Sequence, residues 1–254
     1  MRAKLSVVMI TLNEEHNLAR ALDSVKWAAE IVIVDTFSQD RTKEIAKKYT
    51  DRIYDLKWSG YGPAKQFALE KASFEWVLSL DADEVLSEPL QQEIQSVLQP
   101  EVEFDGYSVC RMSNFLGKWM KHGGWYPDYV LRLFRKDKSN FTTATVHEEL
   151  IVTGKSGRLK GLLLHYTDPN LEHYLTKLNR YTTLSAQELL NKGETAKLTD
   201  LLFRPPALFF KMYFFKFGLL DGIQGFLLAL YSSFHVLSKY AKLWHLQHSH
   251  GPVA

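Results

Sequence analysis

Over the first hundred positions, apolar residues fall in short, nearly continuous runs, and each run ends on polar or acidic residues. Leu5-Ser6-Val7-Val8-Met9-Ile10, Ile31-Val32-Ile33-Val34 and Trp76-Val77-Leu78-Ser79-Leu80 read as strands buried on both faces. That is the pattern of a parallel sheet covered by helices. A shorter strand is predicted at 52–55. Between the runs the apolar spacing becomes helical. Leu18, Ala21, Leu22 and Val25 follow an Asn13 cap with Glu14 and Glu15 in the first turn. Ile45 and Ala46 follow a cap at Ser38 or Asp40, and Phe67, Ala68 and Leu69 follow Pro63 at a helix start. The β-α-β-α-β-α-β order predicts right-handed crossovers and an α/β, Rossmann-like, mostly parallel sheet.

A helix opening at Glu88-Pro89 and running to about Leu98 closes this half. The pattern then becomes less regular. Strands are predicted near 106–112, 129–134 and 162–166, with a loop over 115–126 and a loop and strand around His147-Glu148-Glu149. Asp168 and Pro169 are expected to open a long helix whose core stripe is Leu171, Tyr174, Leu175, Leu178 and Tyr181. Pro205-Pro206 breaks the chain, an aromatic stretch follows over 207–217, and a helix is predicted from Gly222 to Trp244 after a turn at Asp221-Gly222. The chain thus divides into residues 1–100 and 101–200, two halves of one domain, and a helical C-terminal extension, residues 201–254.

Composition changes little. Of 254 residues, 46% are hydrophobic and 24% charged, ordinary for a folded core. The net charge of +2 gives no reason to expect nucleic acid as a partner. Its distribution is uneven: residues 201–254 hold five Lys or Arg against Asp221 alone. The single Cys110 excludes an intrachain disulfide and fits a reducing compartment. No signal peptide is read at the N-terminus, and no uninterrupted apolar stretch is long enough for a simple spanning helix.

The chemistry sits at the strand ends. Ligands of open α/β sheets bind beyond the carboxyl ends of the strands. Three polar clusters belong on that one rim: Thr11/Asn13/Glu14, Asp35/Ser38/Asp40 and Asp81/Asp83. Asp81 and Asp83, two apart at an extended strand end, would face one side, a hard-oxygen pair suited to Mg2+ or Mn2+ shared with substrate phosphates. The first loop has no glycine. That disfavours a Walker phosphate loop, a dinucleotide fingerprint and a sugar nucleotidyltransferase.

Three motifs, in this order and spacing, carry a resemblance: Val8-Met9-Ile10-Thr11-Leu12-Asn13-Glu14-Glu15, Val34-Asp35-Thr36-Phe37-Ser38-Gln39-Asp40-Arg41-Thr42 and Asp81-Ala82-Asp83-Glu84. They resemble the family 2 glycosyltransferases of the A fold, inverting enzymes that use nucleotide-activated sugars. Phe115-Leu116-Gly117-Lys118-Trp119, Gly123-Gly124-Trp125-Tyr126-Pro127-Asp128, Arg132-Leu133-Phe134-Arg135 and Val146-His147-Glu148 look like the subgroup that builds bacterial lipopolysaccharide core. Within it, they are most similar to glucosyltransferases acting on inner-core heptose.

The resemblance implies a UDP-sugar donor bound by residues 1–100 and an acceptor bound by residues 101–200. Asp35 would accept the uracil N–H, while Thr11, Asn13, Glu14 and Ser38 would line the uridine pocket. Lys65 would meet the donor or its phosphates. Asp83, with Asp81, would hold a divalent metal on the diphosphate. The family's usual Glu-Asp pair for the base is absent. Glu148 is the first candidate and Asp128 the second. The alternative is a non-catalytic nucleotide-sugar-binding or membrane-scaffold protein of the same fold. The basic, aromatic C-terminal region suits peripheral contact with an anionic membrane, at the cytoplasmic face of the inner membrane where a lipid-linked saccharide acceptor would lie. Packing on the domain and a homo-oligomer interface are the other readings of those helices.

Overall fold

The computed structural model describes residues 3–99, 103–142, 149–168 and 170–248. Two compact units emerge: Met1–Met112 with Asp128–Tyr166, and Ser113–Pro127 with Thr167–Ala254.

The first unit begins β1 (Leu5–Thr11), α1 (Leu18–Asp23), β2 (Glu30–Asp35), α2 (Thr42–Ala46), β3 (Ile53–Asp55), α3 (Tyr61–Lys71) and β4 (Trp76–Ser79). These strands lie in the order β3-β2-β1-β4 and pair in parallel, as the apolar runs predict. Alternation along each strand splits its residues between two cores. Leu5, Val7 and Met9 of β1 join Ile31, Ile33, Trp76 and Leu78 under α1, whereas Val8 joins Val32, Val34 and Val77 under α3. The chain moves outward from β1 to β3 with α1 and α2 on one face. It then returns through α3 on the other face to place β4 beside β1. The gap between the ends of β1 and β4 is therefore a topological switch point, where open sheets take their ligands.

Beyond β4 come β5 (Glu84–Leu86), α4 (Glu88–Val97), β6 (Gly106–Phe115), β7 (Lys118–Trp119), β8 (Asp128–Arg135), β9 (Ser139–Phe141), β10 (Leu150–Val152) and β11 (Ser156–Asp168). The sheet continues past β4 in the order β8-β6-β11-β5, and the β4–β8, β8–β6 and β11–β5 pairings are antiparallel. Ser87 caps α4, accepting from the Leu90 N–H.

Three local expectations change. Asn13 takes a left-handed φ of 56° instead of capping a helix, so the chain turns first and α1 starts only at Leu18. Lys118 and Trp119 pair with the end of β6 inside the stretch read as a loop. Asp168 ends β11, and Asn170 caps the next helix, accepting from the His173 N–H at 2.8 Å.

The second unit is largely helical: α5 (Leu171–Asn191), α6 (Leu198–Leu202), α7 (Arg204–Phe210), a π-helical turn (Lys211–Phe215), a 3-10 turn (Gly218–Asp221) and α8 (Gly222–His248). Pro205 and Pro206 sit in the first turn of α7, where a missing N–H costs little. The core gathers Phe115, Met120, Met212, Leu228 and Ala229. Lys242 of α8 donates to Asn179, Thr182 and Thr183 of α5 at 2.7–2.8 Å. Ser233 donates to the Pro205 carbonyl at 2.6 Å, fastening α8 to α7.

Candidate functional site

Strand register brings the first cluster together. Thr11 lies opposite Asp35, and Asp35 opposite Asp55, at the carboxyl ends of β1, β2 and β3. Asp35 is fully buried and both its oxygens are engaged. Oδ2 accepts from Thr11 Oγ1 at 3.0 Å and Ser38 Oγ at 2.6 Å, and Oδ1 accepts from the Ser38 N–H at 2.9 Å. Lys43 stands 3.7 Å from Asp35 and 2.5 Å from Asp55, whose side chain is half exposed. The loops after β1 and β2 are laced by side chains. Ser38 Oγ accepts from the Asn13 N–H, Asn13 Oδ1 from the Gln39 N–H and Thr42 Oγ1 from the Glu14 N–H, all at 2.8–2.9 Å. Thr11, Asn13, Glu14, Asp35 and Ser38 thus belong to one rigid rim. Asp35 joins the two loops through Thr11 and Ser38, with no part of its side chain exposed.

The second cluster is a turn instead of an extended strand end. The Glu84 N–H donates to the Asp81 carbonyl at 3.0 Å, closing a β-turn over Asp81-Ala82-Asp83-Glu84. The Asp81 N–H returns a bond to Glu84 Oε2 at 3.1 Å. Arg132, buried on β8, grips both ends of the turn, with Nη2 2.5 Å from Asp81 Oδ2 and 2.6 Å from Glu84 Oε1. Lys65 of α3 lies 3.3 Å from the other Asp81 oxygen. Burial raises the Asp81 carboxyl, but Arg132 and Lys65 outweigh it and hold that group well below the usual carboxylate range. Burial likewise opposes the charge on Arg132, and Asp81 and Glu84 more than compensate, pushing it above the usual arginine range.

Asp83 turns to different partners. Its Oδ2 lies 3.2 Å from His165 Nε2, and its carbonyl accepts from the Tyr166 N–H at 2.9 Å. Arg20 covers the Tyr166 ring, 3.5 Å from its centroid. Asp128, at the start of β8, pairs with Arg111 opposite it on β6. Arg111 Nη2 and Nε approach Asp128 Oδ2 at 2.7 and 2.9 Å. Arg111 also lies 3.6 Å from Glu84, so Asp128 joins the same charged chain. Glu148 lies outside the described residues.

The sequence pointed to Asp83 but not to His165, Asp55 or the clamp role of Arg132. Only strand pairing reveals them: His165 faces Glu84 across β11 and β5, and Arg132 lies on β8, next to β4. Among the described residues, no group of three or more His, Cys, Asp or Glu side chains is gathered to hold a metal. Asp83 and His165 are the residues that would hold Mg2+ or Mn2+ beside this turn, which take remaining oxygens from substrate phosphates and water.

Comparison with known proteins defines the class. Residues 6–151 match the profile of glycosyl transferase family 2. The chain belongs to that family. It is 32% identical over 252 residues to the lipopolysaccharide core biosynthesis glycosyltransferase LpsC of Rhizobium meliloti (strain 1021), covering 94% of this chain and 92% of the relative. An uncharacterised glycosyltransferase of Rickettsia prowazekii (strain Madrid E) is 30% identical over 256 residues, covering 94% of this chain and 86% of that one. Among solved structures, the mannosyltransferase PcManGT from Pyrobaculum calidifontis, in complex with GDP-Man and Mn2+, matches with a TM-score of 0.50 and 14% identity. That match covers 100% of this chain and 77% of the other. It supports the A-type glycosyltransferase fold read from the sequence.

Proposed function

We propose that the protein is an inverting hexosyltransferase of lipopolysaccharide core assembly, moving a sugar, glucose in the first instance, from a UDP donor to an inner-core heptose. The observation that carries this reading is the turn at the switch point. Asp81 is immobilised by Lys65 and Arg132, while Asp83 is left beside His165. The likeness to LpsC supports the core acceptor.

In this reading the uridine lies along the rim of Thr11, Asn13, Glu14 and Ser38, which Asp35 positions, with Asp55 the exposed acceptor beside it. Asp83 and His165 would hold the divalent ion, which supplies Lewis-acid neutralisation of the diphosphate. Asp81 would serve the donor through Lys65, its own oxygens being committed to Arg132 and Lys65. The acceptor oxygen forms its bond to the anomeric carbon on the face opposite the diphosphate. The bond from that carbon to the β-phosphate oxygen breaks, and UDP leaves with the electron pair. The acceptor proton passes to a carboxylate base, Glu148 or Asp128. Peripheral docking at the cytoplasmic face of the inner membrane would bring a lipid-linked acceptor within reach.

The test is a screen of UDP-sugars against truncated core acceptors, read by mass, with Glu148→Gln and Asp128→Asn assayed in parallel. Transfer of one hexose with inversion, lost in one of the two variants, supports the reading. UDP binding without transfer to any acceptor would favour a non-catalytic nucleotide-sugar-binding protein.

A further inference from the structure

The second unit carries an apolar surface that the transfer reaction does not use. Along α8, Ile223, Phe226, Leu230, Phe234, Leu237 and Trp244 are exposed. They recur at three, four or seven residues, so they line one side of the helix for about 32 Å at 1.5 Å per residue. The buried positions Gly225, Leu228, Ala229 and Ser233 alternate with them on the packed side.

The stripe continues into the preceding arm. The Phe226 ring meets those of Phe209 and Tyr213 at 5.9 and 5.7 Å, and Phe210 stacks on Phe214 at 5.7 Å. At the bend, Phe215 and Phe217 are 78% and 59% exposed. The arms Leu198–Phe215 and Gly218–His248 meet at 72°, and neither alone is long and apolar enough to cross a membrane. The bend is set by backbone contact. A Cβ on Gly225 would lie 1.9 Å from the Gly218 carbonyl oxygen, and one on Gly218 would lie 2.8 Å from that of Met212. The surface is therefore preformed.

Charge selects what covers it. Between residues 203 and 248 the charged residues are Arg204, Lys211, Lys216, Lys239, Lys242 and one acid. That acid, Asp221, is buried and held by Lys118, Lys121 and His122. The first arm adds Asp200, paired with Arg204 at 2.6 Å, so the two arms and their bend hold five basic residues against two acids and are net positive. A second copy of the chain would set like charges against like across a two-fold contact. Acidic headgroups would not.

We propose that the two arms form an in-plane anchor, sunk by their apolar side into one leaflet of an anionic phospholipid bilayer. The lysines at the bend extend from the aromatic surface to the headgroups. The proposal deepens the reading of a membrane-borne acceptor and rests on it for its purpose, but its test is independent of catalysis.

The full chain is floated with phosphatidylcholine vesicles, with and without one quarter phosphatidylglycerol, and compared with a Phe215→Glu, Leu230→Glu variant checked for fold by circular dichroism. Expected are recovery with the anionic vesicles, at least tenfold weaker binding by the variant, and partial weakening by salt. A nitroxide on Phe234→Cys, which preserves the rest of the stripe, should become accessible to oxygen and shielded from aqueous relaxants once vesicles are added. Equal recovery of both proteins, no preference for anionic lipid, or a label that stays in water would overturn the proposal. So would a vesicle-free dimer that shields the label. Transfer to a water-soluble acceptor fragment separates the two readings. If it is absent from both proteins while flotation persists, the catalytic reading fails and the anchor stands.

Discussion

His165 and Asp83 stand 82 residues apart in sequence, yet their side chains approach to 3.2 Å. The meeting follows from β11 running antiparallel to β5, with His165 opposite Glu84 and Tyr166 bonded to the Asp83 carbonyl. Both side chains keep a partial opening to solvent, 17% for His165 and 19% for Asp83, while Glu84 between them in register has none. In the proposed reading, this imidazole and carboxylate at the sheet's switch point would hold a divalent ion together with a bound diphosphate.

Asp83→Ala is therefore expected to abolish transfer while leaving the urea midpoint nearly unchanged. His165→Ala should weaken the gain in UDP affinity conferred by Mn2+ by roughly 10–100-fold. Titration calorimetry of UDP with and without Mn2+ checks this. UDP binding without metal should be the same in both variants and the parent. A His165→Ala protein with the full metal-dependent gain would remove the imidazole from the site.

Arg132 is the mechanical centre of the Asp81–Glu84 turn. Its removal leaves the fully buried Glu84 without its nearest cation. Breaking a buried pair from one side costs about 3–5 kcal/mol. Arg132→Met should lower unfolding stability by that order in urea. Arg135→Met, three residues along and pairing with the half-exposed Glu75, should cost about 1 kcal/mol or less. Equal losses would show that Arg132 contributes nothing special to the turn.

The Asp81 carboxyl is held below its ordinary range in the folded protein, so its contribution is present above about pH 3.9, where the unfolded carboxyl ionises. As pH falls below that value, the unfolded state takes up the proton first, and stability declines toward the lower folded value. Asp81→Asn lacks this group. Below about pH 4 its stability should fall less steeply with acid than the parent's, by up to about 1.4 kcal/mol per pH unit. Acid denaturation curves of the two proteins decide it, and parallel slopes would contradict the linkage.

The parallel half of the sheet was legible because β1, β2 and β4 are buried on both faces, and burial of that kind leaves mostly apolar runs. The rim was legible because each run ends in polar residues. What stayed hidden depends on contacts far apart in sequence. Asn13 looks like a helix cap, and only its bonds to the loop after β2 explain why it turns left-handed. Arg132 sits in an alternating strand where an arginine reads as solvent-facing, and two acids from a distant turn draw it inside. Asp35 carries the expected base contact, and its hydrogen bonds to Thr11 and Ser38 could be read only once β1 and β2 were paired. The two-residue strand at Lys118 leaves no periodicity to read.

Asp221 offers the sharpest test of the second unit. Among residues 201–254 it is the one acid, and its carboxylate does three jobs at once. Oδ2 accepts the N–H groups of Lys121 and His122 at 3.2 and 2.8 Å, and Oδ1 lies 3.0 Å from His122 Nδ1. Its carbonyl takes Lys118 Nζ at 2.7 Å. The segment 118–122 is thereby tied to the turn that opens α8. Asp221→Ala would leave two backbone donors and a ring nitrogen unpaired at a buried site, at about 1–3 kcal/mol each where water does not replace the bond. Asp221→Asn keeps one acceptor oxygen and should recover part of the loss. The expected order of melting temperatures is parent, then Asn, then Ala. In both variants tryptic cleavage after Lys118 and Lys121 should accelerate. If Asp221→Ala melts with the parent and its loop resists trypsin equally, the acid is not what holds 118–122 in place.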